Sequence, residues 1–153
     1  MGKQVVVFSL GQEEYAMPIE VVREITRLDN VRPIPQAPAY VMGLINIRGS
    51  AIPLIDLHSR FGIAKEKVLV SAEGEVGVDH KLALITEVDG DTVAFSVDQV
   101  REVSVLDQIA APPQLVTAPF IGGIVNLPDR IIMCLIPERI LEKEELQGLH
   151  QLA

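Results

Sequence analysis

The chain has 153 residues, of which 48% are hydrophobic and 22% are charged. This composition suits one ordinary domain or two small, tightly packed ones. The formal net charge is −8, and all of it lies in residues 67–153, because residues 1–66 carry seven charges of each sign. An acidic chain without a basic stripe argues against nucleic acid and anionic membrane surfaces as partners. Aromatic residues make up only 4%, so the predicted core consists of valine, isoleucine and leucine, which favours strands.

No targeting or membrane-spanning segment is expected. The N-terminus lacks the basic start and apolar run of a signal peptide, and no apolar stretch approaches the roughly 18 residues that cross a bilayer. Cys134 is the single cysteine, which excludes an intramolecular disulfide and favours a reducing compartment. We therefore expect a cytoplasmic protein that does not insert into a membrane.

The first part of the chain is predicted to form strands joined by polar turns. Residues 4–10 and 15–19 are typical of strands, and Pro18 marks a strand end or edge because it cannot donate a ladder hydrogen bond. Residues 21–28 fit either one helical turn or an edge strand, since periodicity does not decide between them. Residues 32–38 carry three prolines and are predicted to form an extended connector.

The remaining elements follow the same plan. Two strands, 43–49 and 50–57, meet near Arg48-Gly49-Ser50, and a short helix is predicted to end at Gly62. The polar segment 72–80 indicates a mobile hairpin. Further strands are predicted at residues 82–88, 92–97, 122–127 and 130–136. The apolar positions of residues 138–149 have helical spacing, which predicts a closing amphipathic helix.

The chain contains an internal repeat. Residues 97–103 nearly repeat residues 19–25, at an offset of 78. Apolar positions upstream match at the same offset, and after a small length change residues 120–126 match residues 40–46 at an offset of 80. Proline, glycine and asparagine repeat along with the apolar residues, which indicates a duplication rather than chance similarity between strands.

Two copies of a short, strand-rich module predict an all-β protein made of two five-stranded barrels. Barrel one is expected to cover about 3–66 and barrel two about 67–142, with an exchange of strands between them allowed. Because a small module buries little surface by itself, the two barrels are expected to share a third apolar seam. The repeated segments at 22–25 and 100–103 are expected at equivalent edges, with their apolar side chains packed inward.

No catalytic constellation stands out, so no enzymatic activity, cofactor or metal site is predicted. Cys134 lies in an apolar strand, where a buried and inert thiol is expected. His58, His80 and His150 are far apart in the sequence and have no metal-ligand spacing. No glycine-rich loop leads into a helix, as phosphate binding would require.

Arg48 is unusual among its apolar neighbours. Its guanidinium offers a rigid fork of donors and is a frequent interface anchor, or it pairs with a carboxylate such as Glu24 and holds the turn; both roles stay open. The second copy has Pro128-Asp129 where the first has Arg48-Gly49, which hints at a function for the first turn. Asn46, which recurs as Asn126, is predicted to bond the backbone of its turn.

Taken in order, these segments resemble the CheW family of chemotaxis coupling proteins, from Val5 to about Leu141. The most specific segment, residues 34–57, reads IPQAPAYVMGLINIRGSAIPLIDL. Residues 8–25, 95–103 and 120–124 add the opening strands, the repeat and the F-I-G-G-I element. Ile136-Pro137 departs from the family, which often has an acidic residue there, so the start of the closing helix is expected to differ.

The resemblance implies one domain of two SH3-like barrels over residues 3–142, followed at 143–153 by the end of the closing helix and a tail. It implies a non-enzymatic adaptor that links the regulatory domain of the histidine kinase CheA to the cytoplasmic tips of chemoreceptors in membrane-associated arrays. By the same resemblance, two groups of residues contact partners, one in a partner-facing turn and one near the seam between the barrels. They are Gly43, Asn46, Arg48 and Gly49 in the turn, and Val22, Glu24, Val97, Asp98 and Val100 near the seam.

Two other functions stay open. In the first, the chain is a CheW-like regulatory domain detached from a signalling kinase. In the second, it is a small hydrolase or ligand-binding barrel with a pocket between the copies. The initiating Met1 and the complete second copy favour a free-standing protein, and the absence of a receiver domain disfavours the fused CheV type. A pocket would need convergent polar groups, and the sequence offers only Arg48.

Overall fold

The structure, a computed structural model, describes residues 2–28, 31–62, 82–115, 117–141 and residue 145. Within these ranges the chain consists mainly of strands, with one short helix and two 3₁₀ turns, at Ile19–Val21 and Pro137–Arg139. The strands are β1 Lys3–Leu10, β2 Glu13–Pro18, β3 Val22–Arg27, β4 Val41–Ile47, β5 Ser50–Asp56, β6 Leu82–Val88, β7 Asp91–Val97, β8 Gln99–Leu106, β9 Ile121–Leu127 and β10 Arg130–Leu135. The helix is α1, Leu57–Phe61.

The strands form two five-stranded sheets, each with members from both copies of the repeat. One sheet has the order β3-β6-β7-β5-β4 and is called barrel I; the other has the order β8-β1-β2-β10-β9 and is called barrel II. Strands β1–β5 belong to the first copy and β6–β10 to the second. Barrel I combines β3, β4 and β5 of the first copy with the hairpin β6–β7 of the second, and barrel II combines β8, β9 and β10 of the second copy with the hairpin β1–β2 of the first. The copies have therefore exchanged their first hairpins, so a boundary near residue 66 does not separate the two sheets.

Three hydrophobic clusters hold this arrangement together. Within barrel II, Val5, Ala16, Leu106, Val125 and Ile132 represent all five strands, so the sheet curls around its own core. A second cluster fills barrel I. The third and largest cluster takes residues from both sheets and forms the predicted seam.

Strand β1 shows why residues 5–8 form a continuous apolar run. Val5 and Val7 face the core of barrel II, whereas Val6 and Phe8 face the seam. A strand buried on both faces needs apolar residues at every position. Each fully buried side chain of this size contributes about 1.5–3 kcal/mol, so β1 alone supplies a substantial part of the contact between the barrels.

The repeated segments lie at equivalent edges, as predicted, since β3 ends one sheet and β8 ends the other. The expectation that their apolar residues all pack inward is wrong. Ile25 is 42% exposed and Val103 is 52% exposed. They pair with the seam residues Leu84 and Val6. Because β3 and β8 have a neighbouring strand on one side only, their side chains remain partly in solvent.

The short helix and its glycine stop are confirmed. The Asp56 side chain accepts a hydrogen bond from the His58 backbone N–H at 3.1 Å and caps α1, and Gly62 ends it in the left-handed region at φ 72°. Arg60 then ties α1 to the end of the chain, donating to the carbonyl of Ile140 at 2.8 Å and to both carboxylate oxygens of Glu145 at 2.7 and 2.9 Å.

Some predictions fall outside the described residues. The predicted hairpin at 72–80 is not described, and His80 and His150 are not described either. Of the closing helix predicted at 138–149, the structure describes residues 138–141 and residue 145. Pro137–Arg139 form a 3₁₀ turn, so the predicted start of the helix at residue 138 is wrong, and the rest of the helix stays a prediction.

Candidate partner-binding surfaces

The β4–β5 hairpin presents Arg48 to solvent. Arg48 and Gly49 occupy the centre of the turn with φ values of 51° and 85°, which is the pattern of a two-residue type I′ hairpin. The side-chain oxygen of Asn46 accepts a hydrogen bond from the Gly49 N–H at 2.9 Å, which confirms the role predicted for Asn46. A left-handed φ is uncommon for arginine, so the turn itself gives no reason for Arg48.

Glu24 is the carboxylate that pairs with Arg48. The Arg48 guanidinium lies 2.9 Å from a Glu24 carboxylate oxygen, and the two side chains are 81% and 29% exposed. An exposed ion pair contributes only about 0–1 kcal/mol. The pairing predicted as one alternative is thus present, yet it leaves most of the guanidinium open to another molecule.

Gly43 is buried under the proline-rich connector and does not lie at the tip of the hairpin. Its φ is +149°, and a Cβ there would come within 2.2 Å of the Arg32 carbonyl oxygen. Arg32 and Leu44 exchange two backbone hydrogen bonds, of 2.9 and 2.8 Å, across this contact. The predicted site residue Gly43 therefore lets the connector approach β4, and any effect on a partner is through the shape of the hairpin.

The predicted seam residues border the cluster between the barrels. Val97 is 1% exposed and belongs to the cluster, whereas Val22 and Val100 are half-buried and pack against it from β3 and β8. Val22 and Val100 are counterparts at the offset of 78. Glu24 lies two residues from Val22 on β3 and pairs with Arg48. Its carboxylate therefore connects the border of the seam to the Arg48 hairpin.

Asp98 is engaged within the protein. Its carboxylate accepts a hydrogen bond from the Gly11 N–H at 2.6 Å and lies 3.0 Å from His58 Nε2, while its own N–H donates to the Ser9 carbonyl at 3.0 Å. Asp98 thus joins α1, the β1–β2 turn and the link between β7 and β8. Sequence reasoning missed His58, which is buried, because 40 positions separate it from Asp98 and no spacing rule connects them.

The β9–β10 end of barrel II, which corresponds to the β4–β5 hairpin end of barrel I, carries a network of ion pairs. Arg130 donates to Glu14 at 2.7 Å and to Glu102, the counterpart of Glu24, at 2.5 Å, and Arg101 lies 3.4 Å from Glu14. Burial disfavours the charged guanidinium, but the hydrogen bonds to the two carboxylates outweigh it and raise the pKa of Arg130. These groups line a polar concavity of about 750 Å³. No spacing rule predicts this network, because its members lie far apart in the chain.

The described ranges contain neither a metal-binding cluster nor a membrane-spanning helix. No group of three or more histidine, cysteine, aspartate or glutamate side chains is placed to hold a metal ion there. No helix in the described part of the chain is long and apolar enough to cross a membrane.

Comparison with known proteins identifies the family. The family model described as "CheW-like domain" matches residues 4–145. The chain is 35% identical to the chemotaxis protein CheW of Treponema pallidum (strain Nichols), over 97% of this chain and 88% of that protein. It is 30% identical to the chemotaxis protein CheW of Helicobacter pylori, over 92% of this chain and 82% of the relative.

A solved structure shows the same fold. The crystal structure of the scaffolding protein TtCheW from Thermoanaerobacter tengcongensis matches with a TM-score of 0.79 and 34% identity, over 93% of this chain and 94% of that chain. The predicted all-β fold and the resemblance to the CheW family are therefore confirmed. The chain belongs to the CheW-like domain family and is a chemotaxis scaffold protein, not an enzyme.

Proposed function

We propose that this protein couples the cytoplasmic tips of chemoreceptors to the regulatory domain of a CheA-type histidine kinase. The observation that carries the proposal is the Arg48 guanidinium, which is 81% exposed and lies 2.9 Å from Glu24. The pair adds little to stability, and a left-handed turn position favours glycine or asparagine over arginine. Such a side chain is well suited to anchor a partner.

The two partners are expected to use different features. The kinase domain, which in the CheW family is a related double barrel, would meet the exposed hairpin of barrel I. A receptor tip is helical in this proposal, and its apolar face would dock where Val22 and Val100 border the seam, with Glu24 at the charged rim. The protein would work in the cytoplasm and reach membrane-associated arrays through these partners.

Calorimetric titration tests the proposal directly. The wild-type protein would be titrated with the regulatory domain of a CheA-type kinase and, separately, with a chemoreceptor tip fragment. We expect saturable binding to both. Arg48→Ala should weaken binding of one partner, which assigns the hairpin to that partner. Arg23→Ala is the matched control, because Arg23 is also exposed on barrel I and also pairs with a carboxylate, that of Glu87 at 2.6 Å.

The proposal fails if the folded wild-type protein binds neither partner. It also fails in its residue assignment if Arg48→Ala and Arg23→Ala weaken binding equally.

The acidic residues 67–153 are expected to steer a basic partner, so association should slow as salt is raised. An association rate independent of salt would remove that part of the proposal.

A further inference from the structure

A cavity of about 170 Å³ opens at one end of barrel II. Its walls include Val5 and Ala16, which belong to the barrel's own core, and Cys134, which packs against that core. Gly122 and Ile136 form part of the rim. The cavity is thus continuous with the apolar interior of the barrel, at the kind of barrel mouth where small ligands commonly bind.

The duplication explains why the cavity exists. At the offset of 80, Gly122 and Cys134 of the second copy correspond to Met42 and Leu54 of the first. In barrel I, Leu54 is fully buried in the core and Met42 packs against it. Leu54 therefore fills in barrel I the space that the smaller Cys134 leaves open in barrel II, whereas at Gly122 the side chain of Ile136 lies only 2.6 Å from where a Cβ would be.

The side chain of Lys3 places a positive charge at the mouth of the cavity. Lys3, Val5 and Val7 alternate along β1, and since both valines face the core of barrel II, Lys3 lies on the same inner face. Within the described ranges the structure gives the Lys3 ammonium no carboxylate partner, and Lys3 is part of the cavity wall. Burial raises the pKa of the Cys134 thiol, and the positive charge of Lys3 opposes that effect.

We propose that the mouth of barrel II binds a small carboxylate with a short apolar body, such as hexanoate or benzoate. The apolar body would lie against Gly122 and Cys134, and the carboxylate would meet Lys3. An apolar cavity of roughly 150 Å³ accepts benzene, so a body of about six carbon atoms fits. The proposal does not depend on the chemotaxis partners, and its test needs neither of them.

The single cysteine provides a selective assay. The rate at which a thiol reagent labels Cys134 would be measured at increasing concentrations of hexanoate, with hexanol as the neutral analogue. We expect hexanoate to slow labelling at concentrations about tenfold lower than hexanol, because a charge-assisted contact adds to the apolar one. Lys3→Gln should remove this difference and leave the effect of hexanol unchanged. Equal effects of the two ligands on the wild-type protein would refute the role of Lys3.

A pair of variants tests the cavity itself. Cys134→Leu restores the residue of barrel I and should abolish the shifts that hexanoate causes in the amide resonances of Gly122 and Ile136. Cys134→Ser keeps the space open and should retain them. Shifts that persist in Cys134→Leu, or their absence in the wild-type protein, would overturn the proposal. Lys3 is exposed, so Lys3→Gln keeps the proposal testable even if Cys134→Leu fails to fold.

Discussion

Replacing Gly43 by alanine should destabilise the protein much more than replacing its counterpart Gly123. At Gly43 the φ of +149° is unfavourable for any residue with a Cβ, and the new atom would lie 2.2 Å from the Arg32 carbonyl oxygen. The connector would have to move away from β4. That movement would break the two backbone hydrogen bonds between Arg32 and Leu44.

The expected loss can be worked from these contacts. Backbone strain of this kind costs about 1–3 kcal/mol, and each broken hydrogen bond about 0.5–1.5 kcal/mol. Partial relaxation of the connector offsets some of this, so we expect a loss of about 3 kcal/mol in the free energy of unfolding. For a chain of this length that corresponds to a fall of roughly 6–12 °C in Tm.

Gly123→Ala is the matched control. The second copy has the same pair of backbone hydrogen bonds, between Ala110 and Ile124. A Cβ at Gly123 would meet first the side chain of Ile109, at 2.4 Å, and the Ala110 carbonyl only at 3.2 Å. A side chain can rotate where a carbonyl cannot, and no positive φ is involved, so a loss of about 1 kcal/mol is expected.

Urea denaturation and thermal melting of both variants would measure the difference. The reasoning is refuted if Gly43→Ala is as stable as the wild-type protein, or if the two variants lose the same free energy of unfolding. Either result would mean that the connector yields to a Cβ without losing its hydrogen bonds to β4.

Three further outcomes are expected. Arg48→Ala should change the free energy of unfolding by no more than about 1 kcal/mol, because its pair with Glu24 is exposed; a larger loss in urea denaturation would make Arg48 a structural residue. Arg130→Ala should cost about 2–3 kcal/mol, since it leaves the half-buried Glu14 carboxylate without its nearer cation, whereas Arg101→Ala should cost less than about 1 kcal/mol; equal melting temperatures would contradict this. Burial raises the pKa of the Cys134 thiol above its ordinary value of about 8.5. The resulting contribution to the free energy of unfolding is present below that ordinary pKa and should be lost as pH rises through the raised value. In urea denaturation, a Cys134→Ser variant should lack this alkaline decline.

The sequence predicted the strands well because their signals are local. Residues 5–8 are apolar at every position, and the structure places them in a strand buried on both faces. The Arg48-Gly49 turn and the Gly62 helix stop depend on neighbouring residues, and both were found where predicted. The pattern of residues 21–28 fits either a helical turn or an edge strand, and the structure shows the edge strand β3, preceded by a 3₁₀ turn at Ile19–Val21.

The candidate site was only partly accessible to sequence reasoning. Glu24 was predicted as the carboxylate for Arg48, and the pair is present. The buried position of Gly43 and the engagement of Asp98 by His58 were not predicted. A sequence pattern shows that a residue is unusual. It does not show whether that residue already packs against a connector, as Gly43 does, or binds a buried histidine, as Asp98 does.

The sequence by itself determined the duplication, the strand-rich fold and the membership of the CheW-like family, because repeats, periodicity and turn residues are properties of the chain in order. Only the tertiary structure decided that the copies exchange hairpins, that Arg130 reaches Glu14 across 116 positions, and that barrel II is left with a cavity. These features depend on which strands meet when the sheets close. The two copies have nearly the same apolar pattern, so β1 and β2 can satisfy that pattern in either sheet, and the pattern by itself does not choose between the two pairings.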